Sequence, residues 1–114
     1  MVAKWFFAYA SRPMAQAEVI GDAIRRISEE SRGTAEVVDW QSLRIGGKTI
    51  IKEITKAIDG SVGLACDLTY LNPNVLFEMG YAIGRGKQIW VCLDTNIRDA
   101  QDTYKRQALL RSIG

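Results

Sequence analysis

Two rhythms of apolar residues alternate along this chain. Lys4 to Tyr9 (KWFFAY) is a continuous apolar and aromatic run, the pattern of a strand buried on both faces. Ala10-Ser11-Arg12-Pro13 interrupts it, and Pro13 suits a loop or the opening of a helix. From Met14 to about Ser31, Ala17, Ile20, Ile24 and Ile27 recur at steps of three and four. Glu18, Asp22, Arg25, Arg26 and Glu29 fill the other side, which predicts an amphipathic helix ended by Arg32-Gly33. Ala35 to Trp40 (AEVVDW) reads as a second strand, followed by a loop from Gln41 to Gly47. Lys48 to Asp59 reads as a second helix with Ile51, Ile54 and Ile58 on one stripe. Ser61 to Cys66 is a small, apolar third strand, and Asp67 to Leu71 is the loop that leaves it. Asn72 and Pro73 are a good cap and a good first residue for a third helix. Its expected buried stripe is Leu76, Met79 and Ile83, while Gly80, Ala82 and Gly84 would let it press closely on a sheet. After the turn Gly84 to Lys87, Gln88 to Leu93 is the fourth strand, and Ala100 to Ile113 reads as a last helix.

Strands that alternate with helices predict an α/β domain around a parallel sheet. A sheet of this kind normally gains another strand after that last helix. The expectation is therefore one domain over residues 1–114, forming the N-terminal part of a longer protein.

Composition narrows the function classes. With 47% apolar and 25% charged residues, the 114-residue chain has the make-up of an ordinary globular domain with one core. A net charge of +2 with no basic face gives no footprint for direct nucleic-acid binding. There is no histidine, which removes Ser-His-Asp and Cys-His catalysis and histidine metal sites. Cys66 and Cys92 lie in apolar runs without metal-ligand spacing, and are expected to be buried thiols in a reducing compartment. No signal peptide is visible, and no apolar stretch approaches the ~20 residues of a membrane span. These features predict a cytoplasmic protein that does not bind membranes.

Two places offer chemistry. Gly47-Lys48-Thr49 follows a strand and opens a helix, like a phosphate-binding loop. Ser42 stands where that motif requires its first glycine, so the nest of amides is incomplete. The second place is Glu78, the only charged residue from Leu68 to Ile83. Ligands of open α/β sheets bind beyond the carboxyl ends of the strands. The strand exits, Tyr9 to Arg12, Trp40 to Gly47, Asp67 to Leu71 and Asp94 to Asn96, should share that edge. The helix bearing Glu78 starts there, and Glu78 is expected on a face with Asn74 and Tyr81/Ala82, offset from the core stripe. The competing reading is an ordinary surface glutamate.

The segment Asp67-Leu-Thr-Tyr-Leu-Asn-Pro-Asn-Val-Leu-Phe-Glu-Met-Gly-Tyr-Ala resembles a signature of TIR-like domains and the related nucleoside 2-deoxyribosyltransferase-like proteins. Phe6-Phe7-Ala8-Tyr9-Ala10-Ser11 is similar to the first TIR strand. Val38-Asp39-Trp40 with Leu43, Gly46 and Ile50 to Ile58 is similar to the strand, loop and helix that follow in TIR domains. The resemblance implies a flavodoxin-like three-layer fold, with a central parallel sheet of four to five strands and helices on both faces. It also implies N-glycosidic bond cleavage with Glu78 as the catalytic acid. In TIR enzymes the substrate is NAD, which yields nicotinamide and ADP-ribose or a cyclic form, commonly in antiphage defence. The implied substrate-binding positions are Tyr9, Ala10, Ser11 and Arg12, with Trp40 and Gly46 closing over them, and Asp67 and Asn74. Implied partners are NAD or a related nucleotide, other TIR domains through self-association, and a second sensor domain or partner protein. No cofactor beyond the substrate and no metal is expected.

Elementary chemistry is compatible with this. Cleavage builds a cationic sugar that a carboxylate can stabilise or attack, and nicotinamide leaves neutral without a general acid. Tyr9 or Trp40 could stack on a base, and Arg12 could pair with a diphosphate. TIR enzymes often carry a bulky residue shortly before the glutamate. Asn72-Pro73-Asn74-Val75 is instead closer to the deoxyribosyltransferase-like pattern, which keeps nucleosides or other nucleotides open as substrates, and with them a nucleoside 2-deoxyribosyltransferase or nucleotide N-glycosidase as the second reading. A non-enzymatic assembly module is the third reading.

Overall fold

A computed structural model describes residues 2–43, 51–94 and Arg111. Four strands, β1 (Ala3–Ala8), β2 (Ala35–Asp39), β3 (Gly63–Asp67) and β4 (Gln88–Cys92), form one sheet in the order β2-β1-β3-β4. Every neighbouring pair is parallel, with Phe6 level with Val38 and Leu64, and Leu64 level with Ile89. The layout is the expected flavodoxin-like one. A fifth strand is not among the described elements. The sequence expectations for Gly46-Gly47, for the start of the second helix at Lys48 and for the helix from Ala100 to Ile113 lie outside the described residues.

Strand β1 shows why its pattern had to be continuously apolar. Its side chains alternate between two cores, one on each side of the sheet. Phe6 and Ala8 join Leu64, Cys66, Ile54, Ile58, Val75, Met79 and Ala82 on one face. Phe7 and Tyr9 point the other way, with Val37, Ala17 and Ile24. Helix α1 (Met14–Glu30) covers that second face. Helices α2 (Ile51–Asp59) and α3 (Pro73–Gly84) cover the first. This follows from topology. The chain steps from β1 to β2 in one direction, then from β2 back past β1 to β3, and crossovers of one hand put their helices on opposite faces.

A short 3-10 turn (Trp40–Leu43) follows β2, so Trp40 ends up outside the strand that its sequence suggested. At the far ends of α2 and α3, the Asp59 carboxylate accepts from Arg85 Nε (2.9 Å), Arg85 Nη2 (3.1 Å) and Tyr81 Oη (3.0 Å), joining the two helices.

Helix α3 departs most from expectation. Its buried residues are Val75, Glu78, Met79 and Ala82, while Ile83 is 43% exposed. The stripe is therefore rotated from the one read in the sequence, and Glu78 belongs to it instead of lying beside it. Gly80 and Gly84 face open space, so they do not serve close packing. The close approach is at Gly63 instead, where an added Cβ would lie 2.5 Å from the Trp5 ring and 2.9 Å from the Gln88 carbonyl oxygen. Cys66 is buried as expected. Cys92 is exposed, because β4 is an edge strand with one partner among the described residues.

Candidate functional site

The strand order reverses between β1 and β3. The chain leaves β1 toward α1 on one face and leaves β3 toward α3 on the other. A crevice must open beyond the carboxyl ends at such a point. The structure has a cleft of about 800 Å³ there. Tyr9, Ser11 and Arg12 line it from the exit of β1, and Trp40 and Gln41 from the turn after β2. Met14, Ala17 and Glu18 of α1 and Ile51 and Ile54 of α2 contribute walls. Asn72, Asn74, Phe77 and Glu78 come from the start of α3.

Local chemistry fixes where α3 begins. Leu71 adopts φ 49°, a left-handed conformation that reverses the chain, and its N–H donates to the Leu68 carbonyl (3.2 Å). Asn72 then caps the helix, its Oδ1 accepting from the N–H of Asn74 (2.9 Å) and of Val75 (3.3 Å), with Pro73 in the first helical position. From that start, Glu78 projects in the buried stripe yet still borders the cleft. It is 5% exposed, and no hydrogen bond or ion pair with it occurs among the described residues. Burial alone pushes its carboxyl up to about 7. Near neutral pH it is divided between a carboxylate and a carboxylic acid, and only the carboxylate can stabilise or attack a developing cation.

On the opposite wall, Tyr9 is almost fully buried, and its hydroxyl donates to Asp39 Oδ2 at 2.6 Å. Burial, and then this bond and the Asp39 charge, raise its pKa well above the ordinary phenol value, so it stays a neutral donor. Its ring meets Trp40 with centroids 5.6 Å apart at 48°. Ser11 and Arg12 are exposed on the cleft wall, and no ion pair of Arg12 occurs among the described residues.

The fold thus brings together Glu78, Tyr9, Ser11, Arg12, Trp40 and Asn74. It does not bring Ala10 or Asp67 to the cleft wall, and Gly46 lies outside the described residues. Asp67 does a different job. Its Oδ1 accepts from the Thr69 N–H (3.0 Å) and hydroxyl (2.5 Å), and the Thr69 oxygen accepts from the Asp94 N–H (2.8 Å). That chain of bonds pins the loop after β3 to the exit of β4. Asp39, Gln41 and Phe77 were not read as site residues. Only Asp39, as the acid ending a strand, carried a signal in the sequence.

Among the described residues, no group of three or more Cys, Asp or Glu side chains could hold a metal ion. Burial pushes the Cys66 thiol up to about 12 and raises that of Cys92 as well, so neither is an activated nucleophile. No helix of the described residues is long and apolar enough to cross a membrane.

No protein-family model and no curated protein matches the sequence. Solved structures do. The 2-desoxiribosyltransferase from Leishmania mexicana aligns over 80% of this chain with a TM-score of 0.60 and 15% identity. The chain spans 64% of that enzyme's length. A conserved protein from Enterococcus faecalis V583 aligns over 96% of this chain and 75% of its own, with a TM-score of 0.69 and 19% identity. At these identities the likeness is one of fold, the α/β layout around a parallel sheet that this chain shares with both solved structures.

Proposed function

We propose that this protein cleaves the N-glycosidic bond of a nucleoside or nucleotide, with Glu78 as the group that meets the anomeric carbon. The observation that carries the reading is a single buried carboxylate, without a partner among the described residues, bordering a cleft at the point where the strand order reverses. A buried acid without a partner is costly, and groups perturbed in this way cluster at functional sites. The solved deoxyribosyltransferase adds support, since it shares the fold and its name states a glycosyl transfer. In the proposed reaction the Glu78 carboxylate attacks or shields the anomeric carbon as the base departs with the bonding pair. A nucleoside base takes up a proton from solvent as it leaves, whereas nicotinamide leaves NAD neutral without one. Water or a second base then bonds to the anomeric carbon and releases its proton to solvent, and the Glu78 carboxylate is regenerated.

Arg12 supports a second, narrower reading in which the substrate bears phosphate. Its guanidinium stands at the cleft wall, suited to a 5′-phosphate or to the diphosphate of NAD. A fold related to deoxyribosyltransferases favours nucleosides and their monophosphates over NAD as the first substrates to test.

The experiment is an incubation with 2′-deoxynucleosides, their 5′-monophosphates and NAD, with products separated by HPLC. Free base that disappears in Glu78→Gln is the expected result. Full turnover by Glu78→Gln would sink the reading. Nicotinamide release from NAD alone would move the substrate to the dinucleotide. In Arg12→Gln, turnover should fall for phosphorylated substrates and hold for nucleosides.

A further inference from the structure

The aromatic wall of the cleft is held by a chain of anchors. Trp40 is half-buried and borders the cleft, but its indole N–H is buried with no hydrogen-bond partner among the described residues. Among the described residues no hydrogen bond of the indole N–H sets the orientation of that ring, and its one ring contact is Tyr9. Tyr9 in turn is only 3% exposed, so it offers a ligand almost no surface of its own. It is fixed by its bond to Asp39 and by an edge-on contact with Phe7 at 5.9 Å. Asp39 ends β2, level with Phe7 of β1, on the face that α1 covers. Above the Tyr9 hydroxyl sits Gly21 of α1, where an added Cβ would lie 3.8 Å from that oxygen.

We propose that Asp39 is a positioning residue for base recognition. It holds Tyr9, Tyr9 backs Trp40, and the exposed part of Trp40 is the surface on which the aromatic base of the substrate stacks. This rests on the proposed reading of the cleft as a nucleoside or nucleotide site. Asp39 does not touch the substrate. Its contribution is to keep one ring orientation populated before the base arrives, so that binding does not have to order it. Glu78 comes from the opposite face of the sheet, so base recognition and bond cleavage are separable parts of one cleft.

The test measures binding of free adenine and free thymine to the full chain by titration calorimetry, with tryptophan fluorescence quenching as a second readout. Tyr9→Phe keeps the ring and removes the anchor, and Asp39→Ala removes the acceptor. In both, the Kd of the bound base should rise about tenfold, the size expected for losing one aromatic contact. Asp39→Asn keeps an acceptor for the hydroxyl and should restore most of the affinity, which a merely structural carboxylate would not. KM should rise while kcat holds. If Asp39→Ala does not fold by circular dichroism, Tyr9→Phe carries the test alone. Unchanged base affinity in a folded Tyr9→Phe, or a wild type that binds neither base, overturns the proposal. Base binding that depends on Asp39 without turnover of any nucleoside, nucleotide or NAD would instead overturn the proposed reaction and leave the wall standing.

Discussion

Glu78 holds a carboxyl group at about 7 with no partner among the described residues to favour its charged form, and that has consequences for both stability and rate. Its folded value lies above the unfolded value of 4.5, so the folded state keeps its proton longer than the unfolded chain does. Between about pH 4.5 and 7, rising pH therefore destabilises the fold, and above 7 the full cost remains. That cost is on the order of 3 kcal/mol. Glu78→Gln should accordingly be more stable than the wild type at pH 8, with the gain shrinking toward zero near pH 4.5, as read by urea unfolding across that range. A gain that grows toward acid pH would contradict the burial argument. For activity the sign reverses. If the ionised form does the chemistry, kcat/KM should climb with pH and level off above about 7, while Glu78→Gln should lose about a hundredfold or more.

Helix α3 carries the acid, and its two ends are set by different means. At the start, the Asn72 cap should be worth about 1 kcal/mol. Asn72→Ala is expected to lower stability by that amount and to reduce turnover further, because it loosens the turn of helix that aims Glu78. Unfolding and saturating-substrate rates on the same variant separate the two effects. Gly80 gives the opposite outcome. It sits in an exposed helix interior with nothing near its missing Cβ, so Gly80→Ala should stabilise by about 0.5–1 kcal/mol with activity intact. Had the glycines of α3 been there for close packing, as its sequence suggested, the same change would destabilise. The strands were more legible than this helix. KWFFAY and SVGLAC had no polar face, so burial on both sides was the one arrangement that suited them. In α3 nearly every position is apolar or small, so several stripes satisfy helical spacing equally well. Only contact with the sheet selects Val75, Glu78, Met79 and Ala82.

At the scale of the whole molecule, the cleft exists because two faces of one sheet are covered by helices that leave from neighbouring strands. The sheet itself depends on a tight point in its middle. Gly63 lies beside Trp5 on one neighbour and Gln88 on the other, and Trp5 meets Trp90 across it at 5.5 Å. Because one of the obstructing atoms is a backbone oxygen, Gly63→Ala forces a shift of the strands as well as of a side chain. It should cost about 1–3 kcal/mol in urea unfolding. Reading along the chain determined the alternation of strands and helices, the parallel sheet, the helix start at Asn72-Pro73 and the isolation of one acid, because each is local or periodic. The tertiary structure decided the rest. It turned Glu78 into the buried stripe, tied Asp67 into a loop away from the cleft, and joined Tyr9 to Asp39 thirty residues on. These outcomes rest on which faces meet across the sheet. Spacing along a chain carries no record of that until the crossovers have placed the helices.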